Sequence, residues 1–341
     1  AGAITDSGVL DISGAASFTT TAANGNVELN QASDVDGILS VTTNGTGSTS
    51  VTNLTDSIDL GTISTASLTI GSTGAITDTA GATIAVNGLA TLSNAGSDVI
   101  TLGDDATDVT NFNSLNLNGT TVAVTEDSST ELTGVSASSF VLTSAGEITD
   151  SGVLDIDGAA SFTTTAANGN VELNQASDVD GILSVTTYGT GTTSITNLTD
   201  AIDLGTIKTA ALTIEASGAL TQSGVSTVSG DSSFTAGANL INLNLANDFQ
   251  GAVSLSNSGG NDVTITTVNA LDLGTVSIGQ NLSVNAGGTI SDSGVVAVAG
   301  TTTFDNAGAD AAIQLDSEST YTGNVTFTTD AGSDVTITDN S

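Results

Sequence analysis

Ile4-Thr5-Asp6-Ser7-Gly8 returns four more times along this chain: Ile76-Thr77-Asp78-Thr79-Ala80-Gly81, Ile148-Thr149-Asp150-Ser151-Gly152, Leu220-Thr221-Gln222-Ser223-Gly224 and Ile290-Ser291-Asp292-Ser293-Gly294. Their first residues stand 72, 72, 72 and 70 positions apart. A fixed period of this length marks a repeat protein, in which each module buries its apolar side against its neighbours. Five modules follow, 1–72, 73–144, 145–216, 217–286 and a shorter 287–341, read as one continuous solenoid over 1–341.

Working outward, residues 1–70 and 145–214 match at 62 of 70 positions. The differences include Ala3/Glu147, Ser13/Asp157, Asn44/Tyr188 and Ser64/Lys208, changes that solvent-facing positions tolerate. A second landmark, Ile58-Asp59-Leu60-Gly61-Thr62, recurs as Ile202-Asp203-Leu204-Gly205-Thr206 and Leu271-Asp272-Leu273-Gly274-Thr275, and in altered form as Thr130-Glu131-Leu132-Thr133-Gly134. Leu60, Leu132, Leu204 and Leu273 therefore mark one recurrent core position.

Within a module, apolar residues alternate with Ser, Thr, Asp and Asn over short spans, as in Val27-Glu28-Leu29 and Leu68-Thr69-Ile70. Period two over short runs predicts strands with one buried face. Thr, Ser, Gly, Asn, Asp and Val, all poor helix formers, dominate the rest. Asn-Gly pairs at Asn24-Gly25, Asn44-Gly45, Asn87-Gly88, Asn118-Gly119 and Asn168-Gly169 suit hairpin turns and coil corners alike.

Apolar starts at Ile4, Val27, Val51 and Ile76 divide the first module into three segments, the starts standing 23, 24 and 25 positions apart. The predicted fold is all-β: a parallel β-helix (β-solenoid) of about five modules with three coils each, right-handed because crossovers between parallel strands almost always are. At ~24 residues per coil the chain makes about 14 coils, stacked at ~4.8 Å.

Composition narrows the chemistry. Of 341 residues, 38% are hydrophobic and 11% charged, which supplies a core and excludes an acidic disordered tail. Cys, Pro, Met, Trp, His and Arg are absent and Lys208 is the single basic residue. Disulfides and thiolate metal sites are thereby excluded. The net charge of −36 excludes nucleic acid and disfavours anionic membranes. No apolar run reaches the ~20 residues of a membrane span, and Ala1, with no basic and apolar leader behind it, reads as the start of an excised piece.

The runs Asn247-Asp248-Phe249-Gln250-Gly251-Ala252-Val253-Ser254-Leu255, Asn261-Asp262-Val263-Thr264-Ile265, Asn269-Ala270-Leu271-Asp272-Leu273-Gly274-Thr275 and Asn281-Leu282-Ser283-Val284 resemble the central repeats of filamentous-haemagglutinin-like bacterial exoproteins. The resemblance covers essentially the whole chain. It implies a right-handed parallel β-helix, exported by a two-partner route and displayed outside the cell, in a region that mostly forms stalks. It carries over no binding residue.

No catalytic, cofactor-binding or metal residue stands out from the repeat. A lyase acting on uronates needs a cationic group and a base. Lys208 is replaced by Ser64 in the near-identical copy, so it reads as a surface residue. Most of the 37 acids are single Asp residues at turns, where the carboxylate takes nearby N–H groups. Asp104-Asp105-Ala106-Thr107-Asp108, Asp34-Val35-Asp36 and Asp178-Val179-Asp180 are oxygen-rich, yet neither an EF-hand loop nor a glycine-rich calcium nonapeptide is present. Diffuse Ca²⁺ or Na⁺ counterions are expected instead.

Threonine runs at 19–21, 163–165 and 301–303 fall in alternate modules, too sparsely for an ice-binding array. The sequon Asn53-Leu54-Thr55 is expected by chance in so Thr-rich a chain.

The expected function is a rigid, non-enzymatic stalk or fibre segment of an extracellular bacterial adhesin. Its partners would be flanking repeats or further copies end to end, with host or matrix surfaces met through domains outside this chain. A self-assembling filament or sheath is the rival reading. A polysaccharide-binding or polysaccharide-cleaving β-helix is a further one.

Overall fold

The structure is a computed structural model that describes residues 2–95 and 98–339, and describes no side chain at Asn53 and Asn197. The chain divides into two units, Ala1–Ala166 and Ala167–Ser341. Each is a parallel β-solenoid, and no helix occurs among the described residues. The pairings that run through Asn24-Gly25 and Asn44-Gly45 are parallel, so these Asn-Gly pairs turn corners rather than hairpins. Asn24 and Gly45 take φ of 63° and 67° there, a region that Asn and Gly enter most readily.

In the first unit one column runs Ile4–Val27–Thr49–Leu68–Ala90–Leu115–Leu132–Asp150, each residue paired with the next. Seven steps bring the chain to the motif strand Ile148–Asp150. Two 72-residue modules separate Ile4 from Ile148, so one module winds three and a half turns rather than three, and each turn is shorter than expected. Val51 stacks on Leu29 rather than Val27, and Ile76 stands in a different column, Ile58–Ile76–Ile100–Val122–Phe140–Ala160.

The second unit repeats the plan. Val171–Thr193–Leu212–Ser232–Val253–Leu273 forms one column and Leu220–Ile241–Val263–Leu282–Thr302–Val325 another. The motif residues Leu220 and Ile290 again fall in different columns, Ile290 pairing with Leu271 and Ile313.

Period-two alternation puts Val, Ile and Leu of successive turns on top of one another inside each unit. Leu60, Leu132, Leu204 and Leu273 are each 0% exposed, at the recurrent core position read from the sequence. Aromatic rings pack in pairs: Phe140 against Phe162 at 5.5 Å, Phe234 against Phe249 at 5.8 Å and Phe304 against the half-buried Phe327 at 5.7 Å between centroids. Each fully buried side chain of this size contributes about 1.5–3 kcal/mol from water exclusion.

The Leu-Gly-Thr landmark is a bulge. Leu39 pairs with Leu60 and Val41 with Ile63, so Ser40 faces two residues, Gly61 and Thr62. The Thr62 N–H donates to Ser40 Oγ at 3.2 Å, and Thr275 N–H to Ser254 Oγ at 3.2 Å in the later copy. A Cβ on Gly61 would lie 2.8 Å from Ser40 Oγ, and one on Gly274 2.6 Å from Ser254 Oγ. Glycine suits the position because side chains of the preceding turn fill its side-chain space, Ser40 with Ile38 Cγ2 (2.5 Å) at Gly61 and Ser254 at Gly274.

Candidate functional site

The third residue of the repeated motif holds the backbone of the next turn. Asp6 accepts from Asn30 N–H (3.2 Å) and Gln31 N–H (3.0 Å), Asp78 from Gly103 N–H (2.9 Å), and Asp292 from Asp316 N–H (2.9 Å) and Ser317 N–H (3.2 Å). Gln222 does the same for Leu245 N–H at 3.2 Å. A second polar residue then takes the N–H six positions after the motif's start. Ser33 accepts from Leu10, Asp108 from Ala82, Asn247 from Ser226 and Ser319 from Val296, at 2.9–3.2 Å.

Where these two residues meet, the modules differ. Gln222 and Asn247 exchange two amide hydrogen bonds of 2.9 Å, and Ser319 Oγ donates to Asp292 at 3.4 Å. In the second module both positions are acids. Asp78, Asp104 and Asp108 place carboxylate oxygens within 4.8 Å of one another. Asp108 also accepts from Gly81 N–H (2.8 Å) and Asp105 N–H (2.9 Å), which fixes the Asp104–Asp108 loop against the preceding turn. Burial pushes the Asp78 carboxyl up to about 6; the Gly103 N–H opposes this, and the charges of Asp108 and Asp104 add to it.

Beside the cluster lies a cleft of about 340 Å³ lined by Gly103, Asp104, Asp108, Thr110, Thr125 and Asp127, among others. Thr110 is 1% exposed and its Oγ1 has no hydrogen-bond partner. Its N–H donates to Asp127 at 2.9 Å. Close by, Glu126 is 1% exposed and accepts from Phe112 N–H (2.8 Å), Ser128 Oγ (2.8 Å) and Thr130 Oγ1. Burial raises its carboxyl above the ordinary value and these donors pull it back.

The other residues singled out from sequence are placed as follows. Lys208 is exposed with Nζ 5.4 Å from the centre of the Tyr188 ring, so two of the substitutions that distinguish the near-identical copies meet as a cation–π pair. Thr20, Thr164 and Thr302 are buried between exposed or half-buried neighbours, so the threonine runs form no flat face. Asp34 stands beside Asp11 of the preceding turn and is partly exposed. The side chain of the sequon's Asn53 lies outside the described residues.

The Asp104–Asp108 cluster was visible in the sequence, but its third member was not. Asp78 stands a full turn before Asp104 and looks like any other motif acid. The one signal was Asp108, an acid where the other modules named above use Ser or Asn.

Among the described residues, no helix is long and apolar enough to cross a membrane. No curated protein and no solved structure matches the chain. A family described as "Repeats of unknown function (DUF5649)" matches it five times, over residues 1–42, 46–116, 119–186, 190–256 and 260–328. Five repeats agree with the five modules; the later four begin ahead of the module starts drawn from Ile4 by a near-constant offset, a choice of phase that a periodic chain leaves free. The chain belongs to this family of repeats.

Proposed function

We propose that this chain is a structural spacer: a rigid, non-catalytic stalk segment of a large extracellular surface protein of the filamentous-haemagglutinin-like kind. The observation that carries the reading is where the repeated polar side chains go. The motif residues Asp6, Asp78, Asp292 and Gln222 all take backbone N–H groups of the next turn, and Ser33, Asn247 and Ser319 tie it back. What the period repeats is a fastening between turns. A charge of −36 with one basic residue suits a saline exterior, where counterions screen it.

A spacer tolerates loss of length, whereas a site does not tolerate loss of its residues. Excising residues 217–286, one whole module, should leave a folded protein with unchanged circular dichroism per residue. In the parent protein it should shorten reach without altering what is bound. Loss of a specific binding or hydrolytic activity while the shortened chain stays folded would contradict the proposal. Reversible assembly into long filaments with rising concentration would favour the sheath reading instead.

A further inference from the structure

We propose that Asp78, Asp104 and Asp108 form a specific calcium site in the second module, at a cleft that Asp104, Asp108 and Thr110 line together. Three carboxylates offer oxygens within 4.8 Å of one another, a spacing that a cation bound at ~2.3–2.6 Å from each would bridge. The fourth and fifth modules meet the motif's side chain with a neutral partner, Asn247 with Gln222 and Ser319 with Asp292. Here the partner is a second acid and the loop adds a third, so like charges face each other where those two modules join a donor to an acceptor.

An independent observation points to a ligand. Thr110 is 1% exposed, its Oγ1 has no hydrogen-bond partner, and it lines the cleft that Asp104 and Asp108 also line. That oxygen lies 3.1 Å from where a Cβ on Gly103 would stand, and Gly103 is the residue whose N–H Asp78 holds. A buried hydroxyl oxygen left unpaired is costly unless an ion or an ion's water uses it. The all-oxygen donor set, half of it on a loop, suits calcium, which takes six to eight oxygens in flexible geometry, better than magnesium, which demands a tight octahedron.

The test is calorimetric titration of the chelator-treated 1–341 chain with calcium chloride in about 0.15 M NaCl, where diffuse screening is already supplied. One saturable site per chain is expected. Asp104→Asn should weaken it at least tenfold, and because Asp104 is exposed the variant should keep the native circular dichroism. Asp36→Asn, at an exposed acid elsewhere, should leave the affinity unchanged. Uptake without stoichiometry that vanishes at this salt would overturn the site in favour of counterions. Saturable binding that Asp104→Asn leaves untouched would overturn this assignment of it.

Discussion

The buried polar side chains of the repeated motif and its partners are fasteners, and their worth is set by how many backbone groups each one satisfies. Asn247 is 0% exposed; its Oδ1 accepts from Ser226 N–H and Gln222 Nε2, and its two amide hydrogens lie within reach of Gln222 Oε1 and the carbonyls of Leu243, Leu245 and Thr266. Each buried group left unpaired costs about 1–3 kcal/mol, so Asn247→Ala should destabilise by roughly 3–4 kcal/mol in denaturant unfolding. A loss under about 1 kcal/mol would show that water replaces the amide. Glu126 is a different case, because burial lifts its folded-state value above that of the unfolded chain. The folded state then holds the proton more tightly, so the stability it contributes below about pH 4.5 is lost as pH rises through the folded value. Glu126→Gln should therefore lose less thermal stability than the native protein between about pH 4.5 and 7. Parallel curves for the two proteins would contradict this.

Strands here carry two kinds of information, and the sequence displays them unequally. Alternation is written in each strand, as in Val27–Leu29 with its buried–exposed–buried pattern, and the β-solenoid follows from it. Stacking partners are written nowhere locally. Ile4 and Ile76 look equivalent yet occupy different columns, since one module makes three and a half turns rather than three. For the same reason the acid cluster was only half legible: its loop is contiguous, but Asp78 joins it through a turn of the solenoid. The Leu-Gly-Thr landmark was legible as a core position through Leu60 and illegible as a bulge, because the cause is Ser40 on another strand. Gly274→Ala should cost about 1–3 kcal/mol from overpacking against Ser254. Adding Ser254→Ala should recover part of it, and strictly additive losses in the double-mutant cycle would show that the serine is not the obstacle.

For the whole molecule, charge is the strongest influence outside the core. With 37 acids in 341 residues, each turn of about 21 residues carries roughly two, and strands of successive turns lie ~4.8 Å apart, inside the ~10 Å screening length at 0.1 M salt. Melting temperature of the chelator-treated chain should climb gradually with sodium chloride; a curve flat in ionic strength would show that self-repulsion is negligible. The proposed spacer role rests on the stack of turns, and the absence of cysteine makes that stack directly measurable. Ser17 and Ser161 stand at the same place in the first and third modules, seven turns apart within the first unit. Spin labels on Ser17→Cys and Ser161→Cys should report by pulsed dipolar spectroscopy a single narrow distance of about 34 Å, seven strand spacings of ~4.8 Å. A broad distribution, or a separation under about 20 Å, would contradict the stacked solenoid.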